Sequence, residues 1–159
     1  KYASNFITQH IATGFGHLQK LRITDLDKST QKMMQKSVRF LDDKILVQYQ
    51  KLLKKATILK EKSKTTKEGN KKYKAFLRQN HLNYATIQYL YMRSFYVDMA
   101  KGDALKEAVL YYQNQTKVFW NTYNLYAKAQ IALSLFRTDK KQTAKKIVRS
   151  LKENSITSD

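Results

Sequence analysis

The sequence contains no proline and only four glycines in 159 residues, and this absence constrains the fold more than any motif does. Proline removes a backbone donor and breaks a helix interior, while glycine supplies the positive φ of tight hairpin turns. A chain that withholds both, and is rich in Lys, Leu, Ala and Gln, has little to interrupt a helix and little to turn a β-hairpin. The expected fold class is all-α. The length suits one domain with its own core, without disulfides or a structural metal, so residues 1–159 are read as a single helical domain. An amphipathic segment begins immediately after Lys1, which reads as a fragment of a longer chain. No apolar run approaches the ~18 residues of a membrane span, so a soluble piece is expected.

Hydrophobic periodicity divides the chain into helices. Ile7, Ile11, Phe15, Leu18 and Leu21 form one apolar stripe over residues 2–21. Gly14 and Gly16 cost this helix roughly 1 kcal/mol each relative to Ala, which marks them as places of close helix approach. After a connection at 22–27, Asp27 or Ser29 caps a second helix with core positions Met34, Val38, Leu41, Ile45, Tyr49 and Leu52, ending about Leu53. Residues 54–74 lose the period, gather lysines and contain Gly69-Asn70. They read as a basic mobile connection between two helical blocks.

Asn80 or Asn83 caps a third helix, with Ile87, Leu90, Tyr91, Ser94 and Val97 inward and a stop near Lys101-Gly102. Asp103 caps a fourth, carrying Leu105, Val109, Tyr112 and Phe119, and Thr122 restarts the chain. A fifth helix has Tyr126, Ala129, Leu133 and Phe136 as its stripe. Asp139 with Gln142 forms a capping box for a sixth, which carries Ala144, Ile147, Val148 and Leu151. The short link between the last two requires them to pack antiparallel.

Little of this resembles catalytic machinery. There is no cysteine, which excludes thiolate metal sites, cysteine nucleophiles and a thioester within these residues. His10 and His17 lie two turns apart rather than at the i, i+4 spacing that places two nitrogens on one ion, and His81 stands alone. All three read as packing or surface histidines. The pairs Asp42-Asp43 and Asp98/Asp103 read as solvated carboxylates beside lysines. Glycine-rich phosphate loops and GxSxG elbows are absent. Neither an enzyme acting alone, nor a cofactor, nor a metal is expected.

The net charge is +19, which favours anionic neighbours. Most of it is Lys, and the six arginines are scattered, so diffuse attraction suits it better than base readout. The candidate contact for an anionic partner is Lys54, Lys55, Lys60, Lys62, Lys64, Lys67, Lys71, Lys72 and Lys74, against the plain alternative of a solvated loop. An anionic lipid surface is one such partner. The eleven tyrosines would suit base stacking, but they do not interleave with arginine, and aromatics at helical spacing usually line a core. Nucleic acid is therefore disfavoured.

Three stretches together resemble a known family. They are Tyr2 with Ile7-Thr8-Gln9-His10-Ile11 and Gly16-His17-Leu18; Tyr89-Leu90-Tyr91-Met92-Arg93-Ser94-Phe95; and Ala129-Gln130-Ile131-Ala132-Leu133 with Ile147-Val148-Arg149-Ser150-Leu151-Lys152-Glu153. In order and spacing they resemble the later part of the helical thioester-type domain of bacterial α2-macroglobulins. The resemblance implies antiparallel helical hairpins in a partial α/α-toroid, within a periplasmic or cell-envelope protease trap (an endopeptidase inhibitor). Its implied partners are neighbouring β-domains of the parent chain and the parent's target proteases. The thioester cysteine is absent here and lies upstream in the family, so no catalytic residue carries over and the implied role is scaffold. A partial ring would expose apolar faces and self-associate. The competing class is a basic helical-repeat module binding nucleic acid, acidic protein or anionic lipid, although no ~34-residue unit recurs.

Overall fold

The computed structural model describes residues 4–22 and 26–154. Among them the regular elements are seven α-helices and one short 3-10 turn, with no strand: α1 (Asn5–Lys20), α2 (Lys28–Thr65), α3 (Lys67–Arg78), α4 (Tyr84–Arg93), α5 (Asp103–Phe119), the 3-10 turn Trp120–Thr122, α6 (Leu125–Arg137) and α7 (Lys141–Glu153). The all-α expectation holds. None of these helices is long and apolar enough to cross a membrane.

Local chemistry sets most starts. Ser4, Asp27, Thr66, Asn83 and Asn124 each stand in extended backbone and accept a hydrogen bond from the first turn of the helix that follows, satisfying donors that have no intrahelical partner. Asp27 is the strongest, accepting from the backbone of Ser29 at 2.7 Å and of Thr30 at 2.9 Å. Three expected starts differ. Asp103 is the first residue inside α5, and Gly102 precedes it without a side-chain cap. Thr122 lies in the 3-10 turn, and Asn124 starts α6. Asp139 makes no capping box: it has φ 61° and pairs with Lys141 at 3.1 Å.

The largest departure lies at 54–74. The second helix does not stop at Leu53; α2 runs for 38 residues, about 57 Å at 1.5 Å per residue, and α3 follows after the single residue Thr66. Lys, Ala, Leu and Glu are all good helix formers. Losing the apolar period therefore removes burial on one face without removing the helix. The last buried residue of α2 is Tyr49, and neither apolar core cluster takes a residue between Leu52 and Leu82. The segment is an arm of two helices lying outside both cores.

α3 runs back along α2: Gly69 meets the Lys62 carbonyl, and the Lys55 ammonium stands 5.5 Å over the Phe76 ring. Gly69 is thus a point of close approach rather than part of a loop. A Cβ there would lie 2.2 Å from the Lys62 carbonyl oxygen.

Two clusters form the core. The larger joins α1, α2, α4 and α5 through Met34, Val38, Leu41, Ile45, Tyr49, Tyr89, Met92 and Tyr112. The smaller joins Ile87 of α4 to Ala127, Ile131 and Leu135 of α6 and Ala144 and Ile147 of α7. α4 serves both clusters and packs on α1, α2, α5 and α6.

Two stripes read as core point elsewhere. On α1 the buried residues are Gln9, Ala12 and Gly16, whereas Ile7 is 58% exposed and Ile11 is also exposed. On α6 the buried residues include Ala127, Ile131 and Leu135, whereas Tyr126 is 67% exposed and Leu133 and Phe136 are exposed with it. Small residues face the neighbouring helix because they allow close approach; a Cβ on Gly16 would come within 2.6 Å of the Phe95 ring. Gly14, expected to act likewise, has nothing within 4 Å of such a Cβ.

Gly69→Ala should push α3 off α2, at a cost of ~1–3 kcal/mol typical of overpacking. Because the arm lies outside both cores, amide exchange should accelerate across 54–78 while the main thermal transition moves little.

Candidate functional site

The most buried polar arrangement lies between α2 and α4. Asp42 occupies the position four after Val38 and three before Ile45, so helical geometry turns it inward with the core stripe. There its Oδ1 accepts from the Tyr89 hydroxyl at 2.6 Å and from Arg93 Nε at 3.0 Å. Arg93 Nη2 donates to the Met99 carbonyl at 3.0 Å, and Nη1 donates to the Tyr96 carbonyl.

This corrects the reading of Asp42 as a solvated carboxylate, because its ion pair with Arg93 is almost wholly buried. Burial pushes the Asp42 carboxyl above its ordinary value, against the pull of Tyr89 and Arg93. The same arrangement stops α4 at Arg93 rather than near residue 101. The guanidinium gathers the Tyr96 and Met99 carbonyls of the following turn, and Val97 faces outward. The arginine donors are committed to protein acceptors, so the cluster is a structural tie.

The histidines also stay apart. The His17 ring lies 2.9 Å from the Tyr91 hydroxyl and packs on Phe95, while His10 lies 3.4 Å from Gln88. His81 Nδ1 is 2.5 Å from the Tyr111 hydroxyl, its ring packs at a tilt on Phe76, and its Nε2 is buried without a hydrogen-bond partner. Burial, and then the Lys55 charge, hold the His81 pKa below the ordinary histidine value. Among the described residues no three His, Cys, Asp or Glu side chains come together as a metal set.

The tyrosines are largely interior. Tyr89 and Tyr112 are among the largest fully buried side chains. Tyr49 donates to Glu107 at 3.0 Å, and burial with that carboxylate pushes its hydroxyl up to about 12.

The surfaces carry the remaining candidates. All nine predicted lysines are exposed and lie on the α2–α3 arm: Lys54, Lys55, Lys60, Lys62 and Lys64 on α2, and Lys67, Lys71, Lys72 and Lys74 on α3. They do not converge on one point. Lys64 pairs with Glu61 at 3.0 Å and Lys72 with Glu68 at 3.4 Å. At the other end of the fold, α6 and α7 leave between them an apolar groove of about 530 Å³, floored by Ala129, Leu133, Phe136 and Val148.

No family model, curated protein or solved structure matches this chain. Of the three motif-bearing stretches, Tyr2 lies outside the described residues; the helices that carry the rest pack on one another, and His17 with Tyr91 is a hydrogen bond between two of the quoted motifs. α1 joins α4 through Gln9 to the Ala85 carbonyl and through His17 with Tyr91, and the Tyr96 hydroxyl just beyond α4 donates to the Ala12 carbonyl of α1. α4 joins α6 through Ser134 donating to the Leu90 carbonyl, and the Arg137 guanidinium lies 3.9 Å from the Phe95 ring centre. α7 then packs on α6.

Removing the Asp42 carboxylate by Asp42→Ala leaves a buried guanidinium unpaired, and should cost ~3–5 kcal/mol in denaturant unfolding. A second expectation concerns pH. A histidine whose folded pKa is depressed contributes stability that is complete above its unfolded pKa, ordinarily 6.5, and is lost as pH falls through the folded value. Wild-type protein should therefore lose stability to urea as the pH falls below the ordinary histidine value of 6.5, and His81→Gln should flatten that loss.

Proposed function

We propose that this chain is a non-catalytic helical scaffold from an α2-macroglobulin-like protease trap, its helices arranged as antiparallel hairpins in part of an α/α-toroid. One observation carries the reading: large apolar side chains are left uncovered on the outer faces of two helices that pack on α4, namely Phe6, Ile7 and Ile11 on α1 and Leu133 and Phe136 on α6, the latter beside Val148 of α7. Helical arrays bury such faces by stacking further elements on them. Isolated exposed apolar residues are ordinary, whereas contiguous apolar faces signal a missing neighbour. The packing of α1 on α4, of α4 on α6 and of α6 on α7, the helices that carry the motifs, supports the same reading.

In such a trap the chain does no chemistry. With no cysteine, it supplies no thioester nucleus, and its contribution is rigidity: α4, buried among four helices, fixes the spacing of two outer faces on which other helices or β-domains of the parent seat. Entrapment then follows from rearrangement of the parent around this rigid part, in the periplasm or cell envelope.

The reading frame around the chain tests this directly. β-rich modules and a Cys-x-x-Gln segment upstream are expected, and a free-standing frame of this length would overturn the reading. In solution the chain alone should self-associate with concentration, and Leu133→Gln combined with Val148→Gln should reduce that association. A sharply monomeric, heat-resistant chain in sedimentation and thermal melting would count against it.

A further inference from the structure

The outer face of α3 holds a second, independent feature. Lys67, Lys71, Lys74 and Arg78 follow the spacing i, i+4, i+7, i+11, which places them on one side of a helix. Phe76 and Gly69, the buried residues of α3, lie on the opposite side against α2. All four cations are exposed, and none has an ion-pair partner among the described residues, since Glu61 and Glu68 are taken by Lys64 and Lys72. Together with Asn70 and Ala75 they line a shallow depression that contains no carboxylate. The arm as a whole, residues 54–78, holds nine lysines and Arg78 against those two glutamates, and it stands outside both apolar cores.

We infer that this ridge is a docking surface for an anionic phospholipid bilayer. Three observations select that partner. The ridge offers three ammonium groups and a single arginine fork, which suits a field of phosphates better than a single shaped anion. No aromatic ring lines the depression between the cations; Phe76 is buried on the other side and Tyr73 is half-buried, so the ridge itself offers no platform for stacking bases. Leu77, three residues after Lys74 and beside Arg78, is 56% exposed. Against a nucleic-acid backbone it would remain in water; at the headgroup boundary it would be covered, as in interfacial amphipathic helices. The four cations can reach phosphate while their methylene stems lie along the boundary. This inference does not depend on the parent being a protease trap.

The test is co-sedimentation of the whole chain with phosphatidylglycerol-containing vesicles, with pure phosphatidylcholine vesicles, and with a single-stranded oligonucleotide, at ~0.1 M salt where the screening length is ~10 Å. Binding to the anionic vesicles alone is expected. Each basic residue at such a surface contributes roughly fivefold. The quadruple variant Lys67→Gln, Lys71→Gln, Lys74→Gln, Arg78→Gln should therefore lose at least ~10-fold, whereas Lys28→Gln, Lys32→Gln, Lys36→Gln, Arg39→Gln, which removes the same charge from the other half of α2, should lose less than ~3-fold. Leu77→Gln should weaken vesicle binding severalfold. All these side chains are exposed, so far-UV circular dichroism should stay unchanged. Absence of binding to anionic vesicles, or equal losses in the two quadruple variants, would overturn the proposal. Tighter binding to the oligonucleotide, with Leu77→Gln silent, would assign the ridge to nucleic acid and overturn it as well.

Discussion

Arg93 carries a full positive charge with almost no access to water, and a lone ion in that position would cost many kcal/mol. The fold answers with three acceptors: the Asp42 carboxylate from α2 and the carbonyls of Tyr96 and Met99 from the turn after α4. One guanidinium thus fixes where α4 ends, how the chain leaves it, and which face of α2 it meets. Tyr89, one turn earlier, adds its hydroxyl to the same carboxylate. Because α4 packs on α1, α2, α5 and α6, a fault at this tie would reach both apolar clusters. Buried ion pairs are poor sources of net stability but good determinants of arrangement, which matches its place at the centre of the packing.

Around that centre the chain divides into parts of different physical character. The two clusters are apolar and close-packed, held together by small residues such as Ala12, Gly16, Ala127 and Ala144 where helices meet. Large apolar side chains on the outer faces of α1 and α6 remain in water instead. Unlike the central α4, these helices keep an outer side, and the side they turn inward is the one whose small residues allow the closer approach. The proposed scaffold role rests on these uncovered side chains.

The arm belongs to neither regime. It is helical by propensity and by its single turn at Thr66, where the hydroxyl accepts from Gly69 at 2.9 Å, and it gains little from burial. Its charge is therefore free to face outward in a repeating row. Long-range attraction of this kind is screened by salt and indifferent to sequence detail, in contrast with the committed hydrogen bonds around Arg93.

Much of the fold was legible in the residues. The scarcity of proline and glycine leaves long helices uninterrupted, and the caps Asp27 and Asn83 follow from side chains that can reach a free backbone donor. The core positions Val38, Leu41, Ile45 and Tyr49 follow from period. Asp42 was misread as solvated although its register with Val38 and Ile45 turns it inward, and its partner had no local signal, because Arg93 lies 51 residues away. Propensity and period are local, and they determine which segments become helices and which stripes are apolar. Whether a stripe is buried, whether residues 67–78 fold back along α2 as a second helix, and which carboxylate meets which arginine depend on close approach between distant segments. Those outcomes rest on steric fit, such as Gly69 against Lys62 and Gly16 against Phe95, and only the tertiary structure decided them.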